Sequence, residues 1–348
     1  MPKNSSDISS VSVPGFISQG LVNMGLSREG EALAAHPLTG GVSSDIWKVT
    51  VGEDIGRTYC IKRALAQLKV AENWEAPVER VKAEIDWLKT AHSITPGNIL
   101  KVVGEDDAEG CFAMEYLSQT AYESWKQALA AGKVDIGVAR SVARAIVAVH
   151  RSTAGDSDVA EVFANDSQFM ALRPDPYFIT AGRKNPDVAD IINRLTADLM
   201  ATKKVLVHGD LSPKNILIGP KGPYIVDAET AWYGDPAFDL AFCLNHLLLK
   251  CVWHPGVASL YLTAYSAFTE TYMIGVDWEP HDELERRAIT LLYAMLLARV
   301  DGKSPAEYIT TAHQKSVVRD FAKAGLKSPA GSLGNIARQW RTELQTTF

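Results

Sequence analysis

The spacing of apolar residues changes character at Leu117, and that break divides the chain. Before it, residues 46–51 and 57–64 alternate as two strands of a hairpin joined by the turn-rich GEDIG. Pro77 then opens a helix with Val78, Val81, Ile85 and Leu88 on one stripe. Residues 99–103 and 111–117 supply two more strands across the polar EDDAEG. After the break the period becomes helical. Asp135 caps a helix whose apolar face is Val138, Val142, Ile146 and Val149. Helical patterns follow at 187–202, 237–251, 257–274 and 281–300, interrupted over 205–230 by short apolar strands with Gly/Pro turns. The expectation is an α+β fold: an N-terminal arm over 1–18, a small β-rich lobe over 19–117, and a larger, mainly helical lobe over 118–348.

Composition narrows the function classes. With 47% hydrophobic and 22% charged residues, this is the balance of a globular protein. A net charge of -6 argues against nucleic-acid binding, which needs clustered cations. Cys60, Cys111, Cys243 and Cys251 form no CxxC pair, so reduced thiols in the cytoplasm are expected. The polar start lacks a signal-peptide core, and no apolar run reaches the ~18 residues of a membrane span.

The residues with the clearest chemistry are His208-Gly209-Asp210-Leu211-Ser212-Pro213-Lys214-Asn215, followed by Ile225-Val226-Asp227. Phosphoryl transfer needs one carboxylate to orient the attacking hydroxyl and further oxygens to hold magnesium on the β- and γ-phosphates. Asp210 fits the first task, and Asn215 with Asp227 fits the second. Alone, a DLSPKN loop is also an ordinary solvated turn. Two acids at the mouths of apolar strands make that plain turn the weaker explanation.

HGDLSPKN…IVDAE resembles the catalytic and metal motifs of the aminoglycoside phosphotransferase and choline kinase superfamily, relatives of protein kinases. Gly209 stands where HRDxxxxN has Arg, and Ala228-Glu229 stands where DFG has Phe-Gly. Glu229 resembles the acid that assists a second ion in several such kinases. The resemblance extends over residues 36–300 and implies a bilobal protein-kinase-like fold with its active site between the lobes. It implies ATP and Mg2+, and a small-molecule hydroxyl as acceptor: sugar-like, amino-alcohol or aminoglycoside-like. Within GDPAFDLA it assigns Asp239 to hold the catalytic loop's backbone, although Asp235 and Asp239 also suit helix capping.

In the first lobe the resemblance places Lys62 on the α- and β-phosphates. Cys60 shares its strand face, so it is expected against the adenine. Glu84, on the inward edge of its helix beside Val81 and Leu88, needs a cation, and Lys62 is the natural one. Gly41, Ser43 and Ser44 resemble the family's phosphate loop, though a plain hairpin turn looks similar. Glu115 and Leu117 fall at the interlobe hinge, where backbone groups pair with adenine; a simple strand end is the alternative.

The stretch from Asp227 to Gly234 has some likeness to methylthioribose kinases, with DxE followed by an aromatic, Tyr and Gly. For the acceptor, two segments are expected as walls: 169–181, a Pro-bounded aromatic loop bearing Tyr177, and 278–301, bearing Trp278. Arg286 and Arg287 also suit exposed pairing with Asp282, Glu283 or Glu285. His150, ending an apolar helix, is expected as a partner of the helix dipole. The rival functions are a protein kinase, disfavoured by Ser212 in place of Lys and by a short segment after Asp227, a catalytically inactive nucleotide-binding scaffold, which the retained Lys62, Asp210, Asn215 and Asp227 disfavour, and a non-enzymatic interaction protein.

Overall fold

The computed structural model describes residues 13–38, 44–53, 56–64 and 80–347. Gly41 and Ser43 lie outside the described residues, as do Pro77 and Val78. The chain divides into two compact units: Met1–Ile85 with Lys101–Ser118, and Asp86–Leu100 with Gln119–Phe348. The domain boundary expected at 117/118 therefore differs over residues 86–100, which pack with the second unit. Their reason is local: Ile225 donates its N–H to the Asn98 carbonyl, the Asn98 amide donates to the Pro223 carbonyl, and Ile99 bridges Ile225 in parallel.

The first unit is an antiparallel sheet in the order β1-β2-β3-β5-β4. It comprises β1 (Leu33–Pro37), β2 (Ser44–Val51), β3 (Arg57–Ala64), β4 (Val102–Asp106) and β5 (Cys111–Glu115), with α1 (Gly15–Asn23) before it and α2 (Arg80–Ile94) between β3 and β4. Residues 15–18, expected in the N-terminal arm, open α1: Phe16, Ile17 and Leu21 are buried with Val49, Val51, Ile61, Cys111 and Ala113. That burial supplies the driving force a Ser-rich segment alone lacks. Register sets the opposite face. Lys62 pairs with Phe112 and Cys60 with Met114, so these four point away from α1.

The second unit is mainly helical. It holds β6 (Glu123–Ser124), α3 (Trp125–Ala130), α4 (Ile136–Ser152), α5 (Ser157–Val162), α6 (Asp166–Leu172), α7 (Thr180–Lys184), α8 (Ala189–Ala201), β7 (Val205–Val207), β8 (Ile216–Ile218), β9 (Tyr224–Ile225), β10 (Trp232–Gly234), α9 (Ala237–Trp253), α10 (Ala258–Ile274), α11 (His281–Asp301), α12 (Ala312–Lys327) and α13 (Leu333–Thr347). Asp135 caps α4 by accepting from the Gly137 N–H. Helix α9 is buried on every side from Ala237 to Val252, with α10, α11 and α13 packed around it. A helix buried on every side belongs at the centre. Two small sheets, β10-β7 and β6-β8-β9, carry the chain into and out of the HGDLSPKN segment.

The aromatic segment 169–181 is not a loop. It runs through the end of α6, a π-helical turn at Asp175–Ile179 and into α7, with Tyr177 and Phe178 buried. Pro174 and Pro176 sit at the start of that turn, where a missing N–H costs little, so they begin helix instead of breaking it. Among the described residues, no helix is long and apolar enough to cross a membrane. All four cysteines are free and buried.

Candidate active site

Strand β7 is wholly buried and delivers His208 into the interior. Gly209 then turns with φ 78°, and a Cβ there would lie 2.4 Å from the Thr230 carbonyl oxygen. No side chain fits, which explains glycine at this position. The two N–H groups this turn exposes are both captured. His208 donates to Asp239 Oδ2 at 2.7 Å and Gly209 to Oδ1 at 2.9 Å. His150 Nε2 adds a third bond to Asp239 at 3.2 Å, and its Nδ1 accepts from the Tyr272 hydroxyl at 2.7 Å. His150, in the last turn of α4, is thus also a buried brace for the loop, through Asp239.

His208 itself is wired within the loop. The Asp210 N–H donates to its Nδ1 at 3.1 Å, so Nε2 carries the proton and donates to the Val226 carbonyl at 3.2 Å. Burial pushes its pKa down, against the pull of Asp239, Asp210 and Asp227, and keeps the ring neutral.

The loop aims Asp210 at three groups. Its Oδ2 lies 2.9 Å from the Asn215 amide nitrogen, 3.0 Å from Lys214 Nζ and 3.1 Å from an Arg173 guanidinium nitrogen. Burial alone would raise the Asp210 pKa, but Lys214 and Arg173 outweigh it and hold the carboxyl below its ordinary value. Arg173 also donates to the Gly209 carbonyl at 2.6 Å, tying the π-helical segment to the loop. Sequence reasoning passed over Arg173; the LRPDP that contains it read as a loop.

Asp227 has φ 67°, the only non-glycine residue in the left-handed region among the described residues. Such strain persists where surroundings impose it. Here Val226 donates to the Asn215 carbonyl, and the Gln168 amide donates to the Glu229 carbonyl. Asn215 spends its amide N–H on Asp210, which leaves the amide oxygen as a donor atom for a cation. No cluster of three or more His, Cys, Asp or Glu side chains suited to a metal exists among the described residues. The Asn215 amide oxygen and the Asp227 carboxylate are hard-oxygen groups of the kind magnesium prefers.

Asp235 is both cap and ion-pair partner. It accepts from the Ala237 N–H at 3.0 Å and from Arg287 at 2.8 and 3.1 Å, and Arg287 also reaches Glu279. Burial raises the Asp235 pKa despite Arg287. Arg287 therefore pairs across the fold rather than with Asp282, Glu283 or Glu285.

A cavity of about 170 Å³ opens beside Asp210. Ser212 and Lys214 line it from the loop, Tyr177 from the π-helical turn, Lys250 from α9, Arg299 from α11 and Tyr308 from the turn after α11. Of the two expected acceptor contacts, Tyr177 lines this space. Trp278 does not: its ring stands edge-on to His150 and Tyr272, behind the Asp239 brace, and its Nε1 donates to Glu279. The 278–301 segment contributes Arg299 instead.

In the first unit, Lys62 and Glu84 form a buried ion pair, with Nζ–Oε distances of 2.8 and 2.7 Å. Cys60, on the same face, has its thiol pushed up to about 12 by burial. Ser44 is buried at the start of β2. Glu115 donates its N–H to the Lys101 carbonyl at 3.1 Å, and Leu117 is half-buried just after β5.

Residues 34–273 match the sequence model of the phosphotransferase enzyme family. Methylthioribose kinases from Geobacillus thermodenitrificans and Geobacillus kaustophilus are 26% and 25% identical to the chain, over 67% and 66% of its length. The matches span 65% and 64% of those relatives, just under two thirds. Among solved structures, an ethanolamine kinase from Plasmodium vivax superposes with a TM-score of 0.50 at 14% identity, covering 92% of this chain and 84% of that one. An amicoumacin kinase in complex with AMP-PNP, Ca2+ and Ami gives 0.50 at 12% identity, covering 88% and 91%. At these identities the structural likeness is one of fold.

Proposed function

The chain belongs to the phosphotransferase enzyme family, with an α+β protein-kinase-like fold, and we propose that it transfers the γ-phosphoryl group of ATP to a hydroxyl of a small polar molecule. The observation that carries this is Asp210: buried, held ionised by Lys214 and Arg173, bonded to Asn215, and facing a cavity. A carboxylate kept ionised there accepts a hydroxyl proton as the oxygen attacks. Asn215 and Asp227 hold magnesium, which neutralises charge on the phosphates. Lys62, fixed by Glu84, is assigned to the α- and β-phosphates. Gly41, Ser43 and Ser44 are assigned to the phosphate loop. Adenine is assigned to Cys60, the Glu115 carbonyl and the backbone of Leu117. Glu115's N–H is already committed.

Tyr177 is assigned to the acceptor. The methylthioribose kinases make a thiosugar one acceptor to test. Asp210→Asn should leave magnesium–ATP binding by calorimetry within error and lower kcat by about 100-fold or more. Asp227→Asn, chosen because Asn tolerates the left-handed backbone, should raise the magnesium requirement. Undiminished turnover in a folded Asp210→Asn protein removes Asp210 from the mechanism. Absence of magnesium-dependent ATP binding in the parent removes the kinase reading.

A further inference from the structure

The cavity beside Asp210 is lined by four cations, Lys126, Lys214, Lys250 and Arg299, against two carboxylates, Asp210 and Glu307. Two pairs cancel: Lys214 with Asp210 at 3.0 Å and Lys126 with Glu307 at 2.5 Å. Lys250 and Arg299 remain. Lys250 is 1% exposed, and its Nζ finds no hydrogen-bond partner among the described residues. It sits against the rings of Tyr308 and Trp253, 3.7 and 4.3 Å from their centroids. Arg299 spends one nitrogen on Ser304 and the Tyr177 hydroxyl, while its Nε is buried and unpartnered. The Ser212 hydroxyl, on the same cavity, is also without a partner.

A buried ammonium packed on aromatic rings, with no hydrogen-bond acceptor, recovers only part of its lost hydration, since a cation–π contact is worth ~2 kcal/mol and desolvation costs several. Burial drops the Lys250 pKa to about 7, with Lys126 and Arg299 pressing the same way against Glu307. Unpaired buried cations converging on a cavity mark where an anion belongs. An amine-bearing acceptor would meet like charge there.

We propose that the acceptor is an anion, a small hydroxylated carboxylate or phosphate ester whose acidic group rests against Lys250 and Arg299 while its hydroxyl faces Asp210. This rests on the phosphotransferase reading above. The acceptor oxygen bonds to the γ-phosphorus as the bond from that phosphorus to the β–γ bridging oxygen breaks. ADP leaves with the bonding pair, Asp210 takes the hydroxyl proton, and the product is a phosphate ester that keeps its original acidic group. Lys250 and Arg299 offset the repulsion between an anionic acceptor and the triphosphate.

Calorimetric titration of the full chain tests this, with magnesium and a non-hydrolysable ATP analogue present. The titrants are gluconate and glycerol 3-phosphate as anions, ribose and methylthioribose as neutral probes, and ethanolamine as a cation. At least one anion should bind more tightly than every neutral or cationic probe, and the order of the two anions identifies the acidic group. Lys250→Met, which keeps the side-chain volume, should weaken that anion by about 30-fold or more. Lys126→Gln, at a partly exposed position, should weaken it by a smaller factor and serves if the buried variant does not fold. Ribose or ethanolamine binding as tightly as the anions, no anion binding to the folded parent, or equal anion affinity in both variants would overturn the proposal. Nucleotide binding is measured in the same samples. Anion binding without nucleotide binding sinks the kinase reading and leaves the cationic pocket standing; nucleotide binding without anion preference does the reverse.

Discussion

Helix α9 buries two charged side chains, one near each end, and treats them in opposite ways. Asp239, in its first turn, accepts from His208, Gly209 and His150 and is wholly enclosed. Lys250, in its last turn, is as deeply buried and rests on ring faces, with no hydrogen-bond partner for its Nζ among the described residues. A buried charge surrounded by its own donors is a structural part, because removing it orphans each of them. A buried charge without partners is a standing cost, tolerated where something outside the chain completes it.

The Asp239 end makes the largest prediction. Asp239→Ala strands two loop N–H groups and one imidazole, and should cost about 3 kcal/mol or more of stability while abolishing turnover. Urea unfolding with the slope held constant measures it; a loss under ~1 kcal/mol would mean the loop holds its shape unaided.

The opposite sign is expected at the other end. Lys250 has a folded pKa near 7 against an ordinary 10.5, so between those values the unfolded chain binds more protons. Stability therefore rises with pH through that window, and the penalty from Lys250 is fullest at or below pH 7. The charged groups bearing on it are Glu307, Lys126 and Arg299. Lys250→Met should raise Tm at pH 7 by about 2 °C or more, and the gain should shrink toward pH 10. A Tm lower than the parent's at pH 7 would show that the rings already satisfy the ammonium and would collapse the contrast.

The smallest effect belongs to Trp278. Standing behind His150, it belongs to the Asp239 end, so Trp278→Phe should leave the acceptor KM within error while Tyr177→Ala raises it. A rise in acceptor KM for Trp278→Phe would return that residue to the acceptor wall.

What could be read beforehand follows from range. Asp210, Asn215 and Asp227 lie within one short stretch, so their chemistry is carried by local spacing. Lys62 and Glu84 meet because strand parity and helix stripe each point inward, and both periods are visible in the sequence. Lys250 was hidden: in AFDLAFCLNHLLLKCVW a lysine near a helix end looks free to reach solvent. Only the turn carrying Tyr308, far along the chain, closes over it. Arg173 was passed over and Tyr177 was set in a loop for another reason, since Pro174 and Pro176, two residues apart at the start of a helical turn, read as breakers.

The four cysteines give the molecule a set of built-in clocks. Burial pushes Cys60 up to about 12 and Cys111 up to about 11, and raises Cys243 and Cys251 further. A thiol that is both covered and protonated reacts only after the chain around it opens. Alkylation rates thus become opening rates, with Cys60 and Cys111 timing the first unit and Cys243 and Cys251 timing α9 in the second. Mass spectrometry of labelled peptides would separate the two pairs, so the stability of each unit can be followed in one tube without adding a probe.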